Sequence, residues 1–578
     1  MKKTLITLLA VLLIAAMVTG CGQTSGSSSK ATPTPGQGQS TTGSNEGKSD
    51  SIYNPPGTYP IVKERIKLTI LAPADGEFDR NENLFTKELE EKMNIDIEFE
   101  VAQPGAFKEK MNLMFASGDL TDIVATGVGG TDRMDKATEA LLGSQGLIIP
   151  LNEYFDTVSI GYKEAFEKLP GLREFITTPD GNIYSLPNVD GSLHIQFNNK
   201  LWINTVWLDN LGLSMPTTTE ELYNVLKAFK EKDANGNGNP NDEIPLSSCK
   251  SGSGVQFDGF LMNPFILTPQ TEKMWVDNGK VVFSPMEEGY KEGLKYLRRL
   301  YADGLIYPES FTQDQKAQVN LNENGPEPVI GAFLAQRPGY ANDLNTIPNS
   351  KKWEQYQSVA PLKGPSGKAI AAWNPYAQYQ TGIASITKDC KYPEAAFRLI
   401  DYIATPEGTL RTAEGVEGNG WRKATPDEKG IDGRPAAFAQ ITEGKTQNSG
   451  WGQLCGLVRT PDFVLSYAYP QDPYGEGVHP LVGRQIILYK ASLEHQAVAQ
   501  PFESILPELY YSQAQIDELT LLKTTIYDYV NTSLVRFITG DLDVEKDWDS
   551  YIRQLKDLGV ERYLEIVQEA YDVSSFKK

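Results

Sequence analysis

The sequence predicts an α/β protein of two or more lobes, on three observations. Between Ile66 and Ala125 the apolar pattern switches repeatedly between alternation, the period of a strand, and i, i+4 spacing, the period of a helix. The chain runs to 578 residues, and the region beyond Pro60 is too long for one compact core. Its last portion reads as successive helices, so strands and helices are not spread evenly along it.

In order, Ile66–Ala72 (IKLTILA) alternates and is rich in β-forming residues, a strand. Asn83–Met93 places Phe85, Leu89 and Met93 on one helix face. Ile95–Val101 (IDIEFEV) is an alternating strand, and Phe107–Phe115 a helix with Phe107, Met111, Met114 and Phe115 inward. Asp122–Ala125 makes a short buried strand. Strand, helix, strand, helix, strand is the pattern of a mainly parallel sheet. Further on, Glu220–Lys232 and Glu288–Ala302 predict helices, and Val329–Phe333 and Thr381–Ile386 strands. Tyr392-Pro393-Glu394 opens the helix Ala395–Ala404. Glu518–Ile538, Val544–Leu558 and Glu561–Ala570 close the chain as helices, with a stop at Thr539-Gly540-Asp541.

The N-terminus places the work of the protein outside the cell. Met1-Lys2-Lys3 precedes an apolar run, Leu5–Val18, relieved only by Thr7, and then Val18-Thr19-Gly20-Cys21. That is a secretory signal, too short to span a bilayer, which takes about 20 apolar residues. Small residues before Cys21 resemble the lipobox of bacterial lipoproteins, which implies that Cys21 becomes the lipid-bearing first residue of the mature chain. Gly22–Ser51 is almost wholly Gly, Ser, Thr, Gln and Pro with a few charges, and Ala31 is its only other apolar member. Such a segment buries too little to offset its ordering entropy and spans about 30 Å as a flexible tether.

Composition excludes several functions. With 54 Lys and Arg against 75 Asp and Glu, net charge −21, the chain is not built to neutralise nucleic-acid phosphates or to dock on anionic lipid. Cys249, Cys390 and Cys455 have no CxxC spacing, which leaves one disulfide with a spare thiol open and disfavours zinc. His194, His479 and His495 are scattered, with no HExxH or GxSxG.

Seven segments then occur in a telling order: Ala116-Ser117-Gly118-Asp119-Leu120-Thr121-Asp122-Ile123, Ile149-Pro150-Leu151-Asn152, Trp207–Leu213, Asp233–Pro245, Leu294–Leu305, Pro361–Pro365 and Phe537–Gly540. Together, behind a lipobox and tether, they resemble bacterial extracellular solute-binding proteins of sugar ABC transporters. The similarity is greatest to the large oligosaccharide-binding lipoproteins of Gram-positive bacteria. The resemblance implies a two-lobed periplasmic-binding-protein-like fold of type II, with ligand in the interlobe cleft. It also implies a monomer that closes on an oligosaccharide and presents it to ABC permease subunits while its lipid anchor holds the membrane. The expected division is 1–20 signal, 21–59 lipidated cysteine and tether, 60–193 plus 377–415 one lobe, and 194–376 plus 416–578 the other. Related sequences often carry Arg and Asp where this chain has Asn204 and Val206.

Asp233-Ala234-Asn235-Gly236-Asn237-Gly238-Asn239-Pro240-Asn241-Asp242-Glu243 is the most chemically specific stretch. Ca²⁺ takes six to eight oxygens. Asp233, Asn235 and Asn237 alternate as the first ligands of an EF-hand do, Gly238 takes the turning sixth position, and Asn239 offers a backbone carbonyl. The twelfth position is Ile244, so Asp242 and Glu243 must close the shell. Relatives have a Ca²⁺ loop of this style, one residue shorter. An Asn/Gly-rich turn is the plain alternative.

For a sugar, position selects the candidates. Trp373, Asn374 and Tyr376 precede the strand Thr381–Ile386, where the chain is expected to cross between lobes, and Trp202 lies near the other crossing. Trp421 comes directly after Gly418-Asn419-Gly420. Asp132 ends the glycine-rich Gly127–Asp132, a loop at the sheet edge where open α/β sheets bind ligands or simply a flexible loop. Trp207, Trp275 and Trp548 read as packing residues. The competing functions are a surface-anchored glycoside hydrolase, which needs only a carboxylate pair, and a sugar-sensor subunit.

Overall fold

The computed structural model describes residues 51–578 except 75–78, 104, 128–132, 270–271, 347–349, 442–447, 453, 575 and 578. Cys21, the signal, the tether as far as residue 50 and Asp132 therefore lie outside the described residues. In chain order the strands are β1 (Ile66–Pro73), β2 (Ile95–Ala102), β3 (Ile123–Ala125), β4 (Leu186–Asp190), β5 (Leu201–Asn204), β6 (Ile244–Ser247), β7 (Met274–Asp277), β8 (Lys280–Phe283), β9 (Ile330–Leu334), β10 (Tyr356–Val359), β11 (Tyr379–Ile386), β12 (Trp421–Lys423), β13 (Phe438–Gln440) and β14 (Val458–Arg459).

Two sheets organise two lobes. The first runs β14-β4-β11-β3-β1-β2, and the second β10-β5-β9-β6. β1 pairs in parallel with both β2 and β3, as the strand–helix alternation predicts, while β11 inserts antiparallel between β3 and β4. Successive side chains of a strand face opposite ways. Thus Leu68, Ile70 and Ala72 meet Phe85, Leu89 and Met93 in one core. Leu71 and Val124 meet Phe107, Met111 and Phe115 on the other face. β2 lies at the edge, and there Asp96, Glu98 and Glu100 are exposed between buried Ile95, Ile97 and Phe99.

The second sheet is likewise covered on both faces. Leu201 and Ile203 join a large core with Leu294 and Leu297 of the helix Glu288–Ala302, Phe537 of Gln513–Thr539, and Ile566 of Val560–Val573. Trp202 and Phe333 face the smaller core of Tyr340, Tyr356 and Leu488. The stop after Ile538 is confirmed: Gly540 ends the helix at φ 90°, in the left-handed region, and Ser512 with Gln515 caps its start. Asn204 caps the helix Thr205–Leu211, accepting from Trp207 N at 3.2 Å and donating to Gln355 Oε1 at 3.0 Å.

The expected boundaries need two corrections. Residues 52–59, assigned to the tether, pack on the body: Tyr53 pairs with Val62, and Arg398 donates to Asn54 O (2.7 Å) and Pro55 O (3.0 Å). A second-lobe segment starting at 416 is also wrong, because β14 adds to β4 in parallel and Trp451, Leu454 and Leu457 fill the first core. A strand of two residues has no periodicity to read. Cys249, Cys390 and Cys455 are free thiols, so no disulfide joins the described cysteines.

Candidate functional site

The chain crosses from one sheet to the other three times. One strap leaves β4, turns through Leu193–Gln196 and enters β5; a second returns from β10 through Pro375–Gln378 to β11; the last, 460–479, leads from β14 into the helix Pro480–Gln496. The first two are laced together, Asn374 N donating to Gln196 O and Trp373 Nε1 to Gln196 Oε1, both at 3.0 Å. Residues 498–500 join them through Ala371 N to Val498 O (2.9 Å) and Trp373 N to Gln500 Oε1 (3.0 Å).

Two cavities open at these straps, and Gln196 lines both. The larger, about 890 Å³, is the arginine cavity. Asp190 and Arg459 reach it from the carboxyl ends of β4 and β14, and Arg337 from just beyond β9, so both sheets present their carboxyl edges to it. Crevices at such edges are where open α/β sheets hold ligands. Tyr467, Tyr469 and Tyr489 are its aromatic lining, and His194, Glu414, Gln440 and Arg484 are among its other polar groups.

Its electrostatics are unusual. Arg459 Nη2 lies 2.9 Å from Asp190 Oδ2, and Ser192 N and Oγ donate to Oδ1 at 3.1 and 2.6 Å. Burial acts to raise the Asp190 carboxyl, yet the Arg459 charge and the Ser192 bonds outweigh it and hold the group below the usual carboxylate range. Burial, and then the neighbouring Arg337, push Arg484 down to about 10. His194 falls to about 4, first through burial and then through Lys200, against the pull of Asp190. Nε of Arg459 and Nε of Arg484 are buried without a hydrogen-bond acceptor.

The second, tryptophan cavity measures about 610 Å³ and holds Trp373, Asn374 and Tyr376 together, as the sequence suggests. The Trp373 indole N–H and the Asn374 amide oxygen are already engaged. Trp373 stacks on Phe197 with ring centres 6.4 Å apart, Asn374 Oδ1 accepts from Tyr376 N at 3.1 Å, and Tyr376 stacks on Phe175 at 6.0 Å. Lys136 beside them donates to Phe175 O and Glu508 O, each at 2.9 Å.

Trp202 is corrected from ligand candidate to core: β5 is an inner strand, the indole is fully buried, and Nε1 donates to Ala335 O at 2.9 Å. Trp421 lines neither cavity. It donates to Gly415 O at 3.1 Å and packs against the cluster of Phe438 and Tyr467, while its cross-strand partner Gln440 faces the arginine cavity. Sequence reasoning missed Asp190, Arg337, Arg459, Tyr467, Tyr469 and Arg484. Arg337 alone had a signal, because it comes shortly after the predicted strand Val329–Phe333.

The Asp/Asn loop joins the helix Thr219–Glu231 to β6 and is wound around oxygens. Asp233 accepts from Asn237 N (3.1 Å) and Gly238 N (2.9 Å), and Asp242 from Asn235 Nδ2 (3.3 Å) and Asn237 Nδ2 (2.8 Å). Glu243 Oε1 closes the loop by accepting from Ala234 N at 2.9 Å, while its Oε2 is buried without a partner. Gly236 and Gly238 at φ 73° and 88° make the turns. Among the described residues no three His, Cys, Asp or Glu side chains converge as a metal cluster. The oxygen set here is mixed carboxylate and amide, which fits a hard cation such as Ca²⁺ and not zinc. Asp233, Asn235, Asn237, Asp242 and Glu243 would hold it, with Asn239 through its carbonyl.

Residues 77–410 match the bacterial extracellular solute-binding protein family. The chain belongs to that family. It is 29% identical over 541 residues, 89% of this chain and 91% of the relative, to the fructooligosaccharide ABC transporter substrate-binding protein FusA of Streptococcus pneumoniae. The solved structure of FusA in complex with kestose superposes with a TM-score of 0.64 at 26% identity, covering 89% of this chain and all of that one. FusA was also solved as an EF-hand mutant in complex with fructo-nystose (TM-score 0.64, 25% identity, the same coverage). A human-milk-oligosaccharide-binding solute-binding protein of Bifidobacterium longum infantis shares the fold, with a TM-score of 0.71, 20% identity, and 88% and 99% coverage. The type II two-lobed α/β fold of this binding protein thus agrees with expectation. Among the described residues no helix is long and apolar enough to cross a membrane.

Proposed function

We propose that this binding protein captures an oligosaccharide in the arginine cavity and delivers it to an ABC importer, held at the outer face of the membrane by lipid on Cys21. The observation that carries the reading is the cavity itself: it opens at the carboxyl edges of both sheets, with tyrosine faces and buried guanidinium N–H groups that lack acceptors. Sugar rings stack on such faces, and their hydroxyls satisfy such donors. Trp373, Asn374 and Tyr376 brace the straps on which the lobes turn.

The protein acts by binding and not by catalysis. A hydrolase needs a carboxylic acid with a raised pKa beside the bond, and Asp190 is held low by Arg459. Calorimetric titration with an oligosaccharide panel, followed by chromatography of the mixture, tests this. Saturable binding with the sugar recovered intact is expected; any cleaved product overturns it.

The loop 233–243 holds Ca²⁺ as a structural clamp on the second lobe. A ligand that binds only the folded state raises its stability. Chelation should lower the melting temperature, added Ca²⁺ should restore it, and Asp233→Ala should abolish both responses.

A further inference from the structure

The arginine cavity is cationic inside a strongly acidic protein. With 75 acids to 54 bases, a carboxylate partner is readily found. Arg299, Arg411, Arg422 and Arg562 each grip a glutamate through two N–H···O bonds. Arg337 and Arg484 do not. Among the described residues Arg337 meets only the Tyr340 ring, 5.8 Å away, and no carboxylate is among the charges that act on Arg484. The two carboxylates that line the cavity among the described residues are engaged, Asp190 by Arg459 and Glu414 by Gln440 (2.8 Å) and Tyr467 (3.3 Å). Two guanidiniums thus line one cavity, one with a buried and unpaired Nε, and no described carboxylate is paired with either.

On the reading of this cavity as the sugar site, we propose that the captured oligosaccharide is acidic, with a carboxylate or sulfate group seated between Arg337 and Arg484. The planar fork of a guanidinium matches such oxyanions, and hydrogen bonds between charged groups are about twice as strong as neutral ones. The anion supplies the acceptor that Arg484 Nε lacks and removes the repulsion between the two cations. A neutral sugar satisfies the N–H groups and leaves the charges uncompensated.

The test is calorimetric titration of the full chain with galacturonate, mannuronate and glucuronate trimers, their carboxyl-reduced counterparts, a sulfated galactose trimer and kestose. One added charge-assisted bond corresponds to about 10- to 100-fold in affinity. At least one acidic trimer should therefore bind about tenfold or more tightly than its neutral counterpart. Arg484→Gln should bring that ratio to within about threefold. Arg337→Gln, at an exposed position, should narrow it too without endangering the fold. Preference for the sulfated trimer over the uronates assigns the oxyanion as sulfate. Neutral sugars binding as tightly as every acidic one would overturn the acidic ligand and leave the receptor function standing. Binding of none of them would overturn both.

Discussion

The arginine cavity and the tryptophan cavity meet at Gln196, yet they treat their polar atoms differently. In the tryptophan cavity the indole N–H of Trp373 and the ammonium of Lys136 end on neighbouring protein oxygens, and the amide oxygen of Asn374 accepts from Tyr376 N. The buried atoms that stay unpaired there, among the described residues, are neutral, Asn199 Oδ1 and Gln380 Oε1. In the arginine cavity the unpaired atoms belong to cations, Nε of Arg459 and of Arg484. An aromatic residue whose polar handle is already bonded is braced for structure. A buried charged donor without an acceptor costs stability, and under the proposed function the ligand supplies that acceptor.

Four substitutions or titrations can break that contrast. The largest effect belongs to Trp202→Ala, in the core behind the arginine cavity, which should cost about 3–5 kcal/mol in denaturant unfolding. If the protein stays as stable and loses only sugar affinity, the indole is a ligand platform after all. Arg459→Ala ranks second. It strands the Asp190 carboxylate, whose side chain is 24% exposed, and should weaken oligosaccharide binding about 100-fold, or ~3 kcal/mol, by calorimetry. Trp373→Ala should do the reverse: a loss of about 2 kcal/mol in unfolding, reduced from the fully buried case because the ring is half-buried, with affinity within about threefold. Equal losses of affinity for the two substitutions would erase the distinction between the cavities.

The smallest effect is a pH slope. His495 packs on Phe197, which stacks on Trp373, and the adjacent Gln496 lines the arginine cavity. Burial and then Lys200 push the imidazole down to about 3, so the folded protein keeps it neutral while the unfolded chain takes up a proton below about pH 6.5. Its contribution is complete above pH 6.5 and is lost as pH falls toward 3, at about 1.4 kcal/mol per pH unit. Unfolding free energies of wild type and His495→Leu between pH 6 and 4 should diverge by that slope; parallel curves would remove the buried neutral histidine from the account.

Much of the scaffold was legible. The helix expected at Glu288–Ala302 has those bounds, because four-residue apolar spacing repeats throughout it. The loop 233–243 was legible for a different reason: its oxygens are neighbours in sequence, so local geometry brings them together. Asn278-Gly279 joins β7 to β8 with both residues at positive φ (47° and 79°), a pair whose turn preference is also local. The helix Pro480–Gln496 was missed, since its buried residues Ile486, Leu488 and Ala491 share no single face. Trp202 was misassigned because proximity to a crossing does not say which way a strand turns its side chains.

The amino-acid sequence by itself determined the order of strands and helices, the oxygen-rich loop, the acidic balance and the family, all of which rest on residues close along the chain or on composition. The tertiary structure alone decided the cavity proposed to bind the sugar. Asp190 and Arg459 stand 269 positions apart and meet because β14 adds to β4. Arg337 and Arg484 line one cavity because the strap, the second sheet and the helix Pro480–Gln496 converge. Periodicity reports which side of an element is apolar; only packing of distant elements decides which charges are left without partners.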